Sequence, residues 1–217
     1  MKVLIGQPVH EEGIVQLKKD IVIGKKKNID IVLYPEGYLS NEKNLGDACN
    51  LAKENSIVII TSYRKNNKDR AAIISNTGEI ILERAKTLPD EKEELNLPLY
   101  VNFDGVNIGY LLCMEILKGM RDLKKLEIDI DFISHPIGVG MFSDAQFEQW
   151  VNEAKIIAKT YKTIIMGTSH ADGSYRNCGT SIPISYCIDK DGKLIYIAKC
   201  DTRARIVNLD TYDYEIV

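Results

Sequence analysis

The chain has 217 residues, of which 45% are hydrophobic and 27% charged, a composition typical of a globular protein with one sizeable core. The formal net charge of −3 gives no electrostatic indication of binding to nucleic acid or to an anionic membrane, and no apolar run reaches the ~18 residues of a membrane span. Five cysteines without C-x-x-C spacing argue against a disulfide framework or a structural zinc site, so we expect a single cytoplasmic domain over residues 1–217.

Short β-rich segments alternate with amphipathic helices along the chain. The segments rich in Ile, Val and Tyr predict strands: KVLIG, DIVLYPE, SIVIITSYR, AAIIS, EIILERA, NIGYLLC, DFISHP, TIIMGTSH, SIPISYCID, LIYIA and ARIVNLD. Apolar residues spaced by three and four predict helices over residues 14–21, 45–52, 116–126 and 147–161. Ser143 or Asp144 is expected to cap the last of these helices.

Two hairpins are marked by turns that contain glycine. The first turn lies at residues 76–78 and the second at residues 191–192, each between two β-rich segments. Each hairpin follows a helix–strand unit, so we interpret the chain as two related halves of one domain. This order predicts an α/β fold with helices on the outer faces of its sheets.

Three polar residues follow apolar strands: Glu36, Lys86 and Cys113. Each has a simpler interpretation when taken alone, since Glu and Lys are mostly surface residues and a free Cys is often a small buried hydrophobe. Together, their side chains supply the groups that one reaction needs. The thiolate is a nucleophile, the carboxylate can take its proton, and the ammonium can stabilise an oxyanion. The set predicts a covalent acyl-transfer site that works without histidine.

A Cys–His site is the main alternative for the nucleophile. The chain has three histidines, His10, His135 and His170, and the last two end strands that could neighbour Cys113. No signature of a cysteine-protease family accompanies them. We therefore favour the site without histidine and expect His135 to line the pocket.

In order and spacing, these segments resemble the nitrilase superfamily of carbon–nitrogen hydrolases. LYPEGY is similar to the family segment with the general-base Glu, ILERAKTLP to the one with the catalytic Lys, and NIGYLLCMEI to the one with the nucleophilic Cys. DFISHPIGV, QWVNEAKIIAKTYKTIIMGTSH and CGTSIPISYCIDKDGKLI extend the resemblance, which runs from Lys2 to Asp210. Each motif alone is weak, whereas the ordered set is specific.

The resemblance implies a four-layer αββα sandwich, commonly paired as a homodimer. It implies hydrolysis of a small amide, nitrile or carbamoyl compound, and we favour an amide because amide cleavage is the commoner activity in the family. Cys113 would attack the substrate carbon, and Glu36 would accept the thiol proton and later activate water. Lys86 would hold the oxyanion with the backbone N–H of Met114. No metal or organic cofactor is implied.

Many members of the family carry a second Glu, between the Lys and the Cys, that helps to position the substrate. Glu91, Glu93 and Glu94 are the candidates here, and Glu91 resembles the family segment best. His135 is a further candidate for substrate binding. Arg84 and Arg176 are weaker candidates for binding a carboxylate of the substrate.

The chain also departs from the family pattern. Glu115 stands two residues after Cys113, where the family more often has Asp, and His135 stands before Pro136, where the family commonly has Asn. The loops and the C-terminal tail are shorter than usual. These departures leave open a second hypothesis, a catalytically silent protein with the nitrilase fold that serves as a binding or scaffold protein.

Overall fold

The computed structural model describes residues 1–88, 93–172, 179 and 181–217. Within these residues the strands form two sheets. Sheet 1 has the spatial order β13 (Tyr214–Ile216), β12 (Arg205–Asn208), β1 (Lys2–Ile5), β2 (Ile31–Leu33), β3 (Val58–Lys65), β4 (Lys68–Ile74) and β5 (Ile80–Ala85). Sheet 2 has the order β11 (Leu194–Lys199), β10 (Ile184–Ile188), β9 (Ile164–Thr168), β8 (Phe132–Pro136), β7 (Val106–Tyr110) and β6 (Tyr100–Phe103).

The four predicted helices are all present. They are α1 (Val15–Lys26), α2 (Glu42–Asn55), α3 (Ile116–Leu123) and α4 (Asp144–Tyr161). Ser143 caps α4 by accepting a hydrogen bond from the backbone N–H of Gln146 at 3.2 Å, which settles the choice between Ser143 and Asp144. In the described part of the chain, no helix combines the length and the apolar character required to cross a bilayer.

Three apolar clusters define the layers of the molecule. In the central cluster the inner faces of the two sheets meet, so that Leu33 and Ile60 of sheet 1 share one core with Tyr110 and Phe132 of sheet 2. A second cluster joins the outer face of sheet 1 to α1 and α2, and a third joins the outer face of sheet 2 to α3 and α4. The order of layers is therefore helix, sheet, sheet, helix, which confirms the predicted αββα sandwich.

The two halves of the chain share one topology. In sheet 1, β1, β2 and β3 are parallel, with α1 and α2 as crossovers, and β4 and β5 add an antiparallel meander. In sheet 2, β7, β8 and β9 are parallel, with α3 and α4 as crossovers, and β10 and β11 add the same meander. The interpretation of the chain as two related halves is confirmed.

Glycine supports both predicted hairpin turns, since Gly78 has φ = +85° and Gly192 has φ = +77°, a region that favours glycine. Two strands, β6 and β13, lie outside the predicted set. Asp104 and Gly105, with φ of +50° and +79°, join β6 to β7, so the Asp-Gly pair is the sequence signal for this hairpin. All three residues of β13 are exposed at the edge of sheet 1, so no alternation of burial marks that strand.

The direction of the strands brings the polar residues to one edge of the sandwich. Strands β2 and β3 are parallel, and two antiparallel steps make β5 parallel to β3. The C-terminal ends of β2 and β5 therefore share an edge of sheet 1, where Glu36 and Lys86 follow them. Cys113 follows the C-terminal end of β7 in sheet 2.

Candidate active site

Glu36, Lys86 and Cys113 lie together at this edge. The Nζ of Lys86 donates a hydrogen bond to Oε1 of Glu36 at 2.6 Å, and the Cys113 thiol lies near the same carboxyl group, close enough for the two to shift each other's pKa. The side chain of Glu36 is 1% exposed and that of Lys86 is 20% exposed. Residues separated by as many as 77 positions (113 − 36) are thus in contact inside one mostly buried cluster.

The backbone of Cys113 has a left-handed conformation. Its φ is +53°, and it begins the short 3-10 turn Cys113–Glu115 that leads from β7 into α3. A non-glycine residue in this region carries a strain of order 1–3 kcal/mol, and such strain is concentrated at functional sites. The sharp turn directs the thiol out of the path of the strand and toward Glu36.

Burial and charge set the protonation of the site. Burial raises the pKa of Glu36, and the neighbouring Lys86 ammonium opposes that rise. Burial, together with the charge of Glu36, raises the pKa of Cys113 to about 12. Burial disfavours the charged form of Lys86, but its interactions with neighbouring acidic groups, among them the charge and the hydrogen bond of Glu36, outweigh this effect and raise its pKa. The raised pKa of Cys113 keeps the thiol neutral at pH 7, beside the ion pair that Glu36 and Lys86 form at 2.6 Å.

Two further groups adjoin the thiol. The backbone N–H of Gly138, in the loop after β8, lies near the sulfur and counteracts part of the rise in the pKa of Cys113, because it favours the thiolate. Met114 follows Cys113 in the 3-10 turn and is 41% exposed. Its expected use of the backbone N–H to hold an oxyanion stays a prediction.

His135 adjoins Cys113 and is completely buried. Its Nε2 lies 2.8 Å from the carbonyl oxygen of Cys113, and since a carbonyl only accepts, Nε2 carries the proton. Nδ1 then accepts a hydrogen bond from the Tyr186 hydroxyl. Burial lowers the pKa of His135 to about 4, so the ring is neutral at pH 7. Both ring nitrogens are engaged away from the sulfur, so His135 is not the base of a Cys–His pair, and its expected contact with substrate stays a prediction.

His170 supports the acid instead of the thiol. Its Nε2 donates to the backbone oxygen of Glu36 at 2.9 Å, and its ring stacks on that of His10, with centroids 3.7 Å apart and planes at 13°. Nδ1 of His10 contacts the Asp172 carboxylate at 2.9 Å. In the described chain His10, His170 and Asp172 form the one group close enough to share a cation. Nearly parallel rings, however, do not direct their lone pairs to a common point, so this group fits a metal poorly.

Glu115 forms an ion pair that the sequence motifs do not indicate. Its carboxylate binds Arg84 in a two-point contact, with distances of 2.8 and 2.6 Å, and both side chains are 1% exposed. The expectation that Arg84 binds a substrate carboxylate is therefore wrong, because its guanidinium is inside the protein and engaged. The alternation of β5 carries the only local signal for this burial, since Leu82 and Arg84 lie on the same face.

Of the three candidates for the second acid of the site, two are among the described residues. Glu91, the preferred candidate, and Arg176 lie outside the described residues. Glu93 is exposed, and Glu94 is exposed and paired with Lys125 on the surface. The Glu94 carboxylate is thus held away from the buried cluster.

The fold matches solved structures along almost the whole chain. An amidase of the nitrilase superfamily from Nesterenkonia AN1 superposes with a TM-score of 0.76 at 10% identity, covering 95% of this chain and 90% of that one. A carbon–nitrogen hydrolase from Helicobacter pylori G27 gives 0.73 at 14% identity, covering 98% and 90%. The chain has the nitrilase fold.

A third match shows the nitrilase fold as part of a larger protein. The glutamine-dependent NAD⁺ synthetase from Acinetobacter baumannii superposes with a TM-score of 0.76 at 16% identity, and the match covers 100% of this chain and 47% of that one. No protein-family model and no curated protein sequence matches the chain. The similarity of this chain to the solved structures is therefore a similarity of fold, and its activity depends on the residues of the candidate active site.

Proposed function

We propose that this protein hydrolyses the carbon–nitrogen bond of a small amide through a covalent intermediate on Cys113. The observation that carries the proposal is that one buried carboxylate, Glu36, forms an ion pair with the Lys86 ammonium and lies beside the Cys113 thiol. These are the groups that acyl transfer through a thiol needs: a nucleophile, a base and a cation. The proposed reaction needs no metal and no organic cofactor.

In the first half of the reaction the amide is cleaved. The Cys113 thiol gives its proton to Glu36 while its sulfur forms a bond to the carbonyl carbon, and the carbonyl oxygen becomes an oxyanion. The Lys86 ammonium and the backbone N–H of Met114 stabilise that oxyanion. When the intermediate collapses, the C–N bond breaks, and the leaving nitrogen takes the proton from Glu36. Ammonia or an amine leaves, and a thioester remains on Cys113.

In the second half water regenerates the enzyme. Glu36 accepts a proton from water, whose oxygen attacks the thioester carbon, and Lys86 and Met114 again hold the oxyanion. The C–S bond then breaks, the sulfur takes the proton back from Glu36, and a carboxylic acid is released. The pKa of Glu36 is raised by burial, and a raised pKa suits a carboxyl group that accepts and returns one proton in each half of the cycle.

The fold neighbours support this class of chemistry. One structure of the Nesterenkonia amidase carries the acetamide moiety of fluoroacetamide added covalently at the active-site cysteine of that enzyme. Cys113 has the surroundings for the same type of adduct in this chain. We extend the proposal to a cytoplasmic homodimer, on the family resemblance described above.

The test is a screen for ammonia release from small ω-amides, glutamine, carbamoyl amino acids and nitriles. For a substrate that the wild type cleaves, we expect Cys113→Ala to lower kcat/KM by more than about 1,000-fold, because the nucleophile is lost. Glu36→Gln should lower it by about 1,000-fold, because the amide cannot accept the proton. Cys49→Ala, at a partly exposed thiol of α2, is the matched control and should leave activity unchanged. Wild-type turnover by Cys113→Ala would overturn the proposal.

The scaffold hypothesis predicts different thiol chemistry. An active site should make Cys113 react with iodoacetamide faster than Cys49, although Cys113 is the more buried of the two. Equal or slower alkylation of Cys113, together with no turnover in the screen, would favour the scaffold. Peptide mass spectrometry after timed alkylation measures both rates in one sample.

A further inference from the structure

We propose that the buried Arg84–Glu115 ion pair is a positioning element that fixes Lys86 and Cys113 relative to each other across the two sheets. Arg84 lies on β5 in sheet 1, two residues before Lys86. Glu115 lies two residues after Cys113, where the chain leaves sheet 2 for α3. The pair is therefore a direct bond between the two segments that carry the amine and the thiol. Its effect on turnover rests on the proposed function.

The ion pair also contacts the backbone on the Lys86 side. Oε1 of Glu115 accepts from the backbone N–H of Thr87 at 2.8 Å, and the guanidinium of Arg84 donates to the carbonyl of Ala85 at 3.3 Å. Ala85 and Thr87 are the two chain neighbours of Lys86. The backbone from which the ammonium extends is thus held at both flanking peptide groups.

Equivalent contacts hold the backbone on the Cys113 side. Oε2 of Glu115 accepts from the backbone N–H of Leu112 at 2.7 Å, and Arg84 donates to the carbonyl of Tyr110 at 3.1 Å. Leu112 directly precedes the nucleophile, whose left-handed φ of +53° needs support from its surroundings. One carboxylate therefore bonds the chain neighbours of both Lys86 and Cys113.

Stability alone does not account for this pair. Removing two charges from water carries a large desolvation cost, and an apolar pair of similar volume is often as stable or more so. An apolar pair, however, cannot supply directional bonds to four chosen backbone groups. Because a displacement of about 1 Å at a reacting group can cost about 100-fold in rate, this directional support has a value for catalysis that packing does not provide.

The test separates positioning from stability with the variants Arg84→Met, Glu115→Gln and the combination of both. Each single variant leaves one buried charge without its partner and should lower the melting temperature. The double variant removes both charges and should recover part of that loss. Alkylation of Cys113 by chloroacetamide reports the site without any enzyme substrate: the S–C bond forms, chloride leaves, and the thiol proton passes to Glu36. The rate is expressed relative to Cys49 in the same sample.

We expect Cys113 alkylation to be at least about 10-fold slower in the double variant than in the wild type, even where the melting temperature recovers. With an amide substrate, kcat should fall by about 100-fold and KM should change little. Arg84→Lys keeps the charge but loses the two-point contact, so it should show the same loss of alkylation if the other variants fail to fold.

The matched control is the ion pair of Arg205 and Asp201, with a distance of 2.6 Å and Arg205 4% exposed. Arg205 is on β12, which four strands separate from β5. Arg205→Met combined with Asp201→Asn should change stability and leave Cys113 alkylation unchanged. Wild-type alkylation of Cys113 in a folded Arg84→Met/Glu115→Gln variant would overturn the inference. If no amide is cleaved in the screen but the variants still differ from the wild type in Cys113 alkylation, only the proposed function is contradicted.

Discussion

At the scale of single residues, burial decides what the polar groups of this site can do. Glu36, Cys113 and His135 are ordinary side chains whose properties change because they lose water. The raised pKa of Cys113 means that the thiol is protonated at pH 7, so the proposed attack on a substrate needs a general base, the role that we propose for Glu36. A lowered pKa keeps His135 neutral, which preserves its hydrogen bonds to Cys113 and Tyr186.

The two buried histidines make a prediction for stability against pH. Burial lowers the pKa of His135 and of His170 from 6.5 to about 4. Between pH 6.5 and 4 the unfolded chain therefore binds protons that the folded chain does not, and the free energy of unfolding falls as the pH falls. Each histidine should contribute a loss of about 3 kcal/mol by pH 4.

The measurement is urea denaturation at pH 7.5 and at pH 4 for the wild type and for His135→Gln. Glutamine has a donor and an acceptor but does not titrate in this range, so the variant should lose about 3 kcal/mol less stability on acidification than the wild type. An identical loss in both proteins would show that His135 is not held neutral by the fold.

At the scale of elements, local backbone geometry explains where the chain turns and where it stays regular. The caps at Asn41 and Ser143 begin α2 and α4 by accepting from backbone N–H groups of the first turn. The Asp104-Gly105 turn closes the β6–β7 hairpin with both residues at positive φ. This turn directly precedes β7, the strand that leads to Cys113.

Replacing glycine with alanine should have opposite effects on stability at Gly105 and at Gly46. Gly105 has φ = +79°, so Gly105→Ala should destabilise the protein by about 1 kcal/mol, although a Cβ there meets no atom within 4 Å. Gly46 lies inside α2 and also has open space around it, so Gly46→Ala should stabilise the protein by about 1 kcal/mol. Chemical denaturation of both variants checks the signs. Two effects of the same sign would contradict this account of the turn.

At the scale of the whole molecule, the two sheets act as one frame for the site. The hydroxyl of Tyr110 on β7 donates to the backbone oxygen of Thr61 on β3 at 2.5 Å, which adds a polar link to the apolar core between the sheets. The Arg84–Glu115 pair forms a second link at the edge where the site lies. Glu36 and Lys86 from one sheet can therefore be held against Cys113 from the other.

The proposed homodimer gives a prediction at this scale. Met114, Leu117, Phe142 and Ile156 are exposed apolar side chains on or beside α3 and α4, the helices that cover sheet 2. Light scattering should give a mass twice the 24.5 kDa of one chain. In a dimer formed through this face, Ile156→Lys should shift the mass toward the monomer, because the substitution would bury a charge between the two chains. Val22→Lys, an equally exposed position on α1, is the control. A monomeric wild type would contradict the proposal.

The sequence by itself determined the elements and the candidate residues. The apolar periods of two and of three to four, the capping Ser143 and the glycine turns predict the strands, the four helices and two hairpins, because these features depend on neighbours a few residues away. The motifs around Glu36, Lys86 and Cys113 are also short and local, and their resemblance to nitrilase-superfamily motifs predicted the fold. The exposed edge strand β13 had no such local pattern.

Only the tertiary structure decided which of these residues meet. The Glu36–Lys86 contact joins residues 50 positions apart, and the Arg84–Glu115 pair joins residues 31 positions apart, one on β5 of sheet 1 and the other in the turn that follows β7 of sheet 2. Strand order and the stacking of the sheets select these partners, and a linear pattern encodes neither. For the same reason Arg84, which has the appearance of a surface arginine in the sequence, is a buried partner of Glu115: its surroundings are set by chain segments that are distant along the sequence.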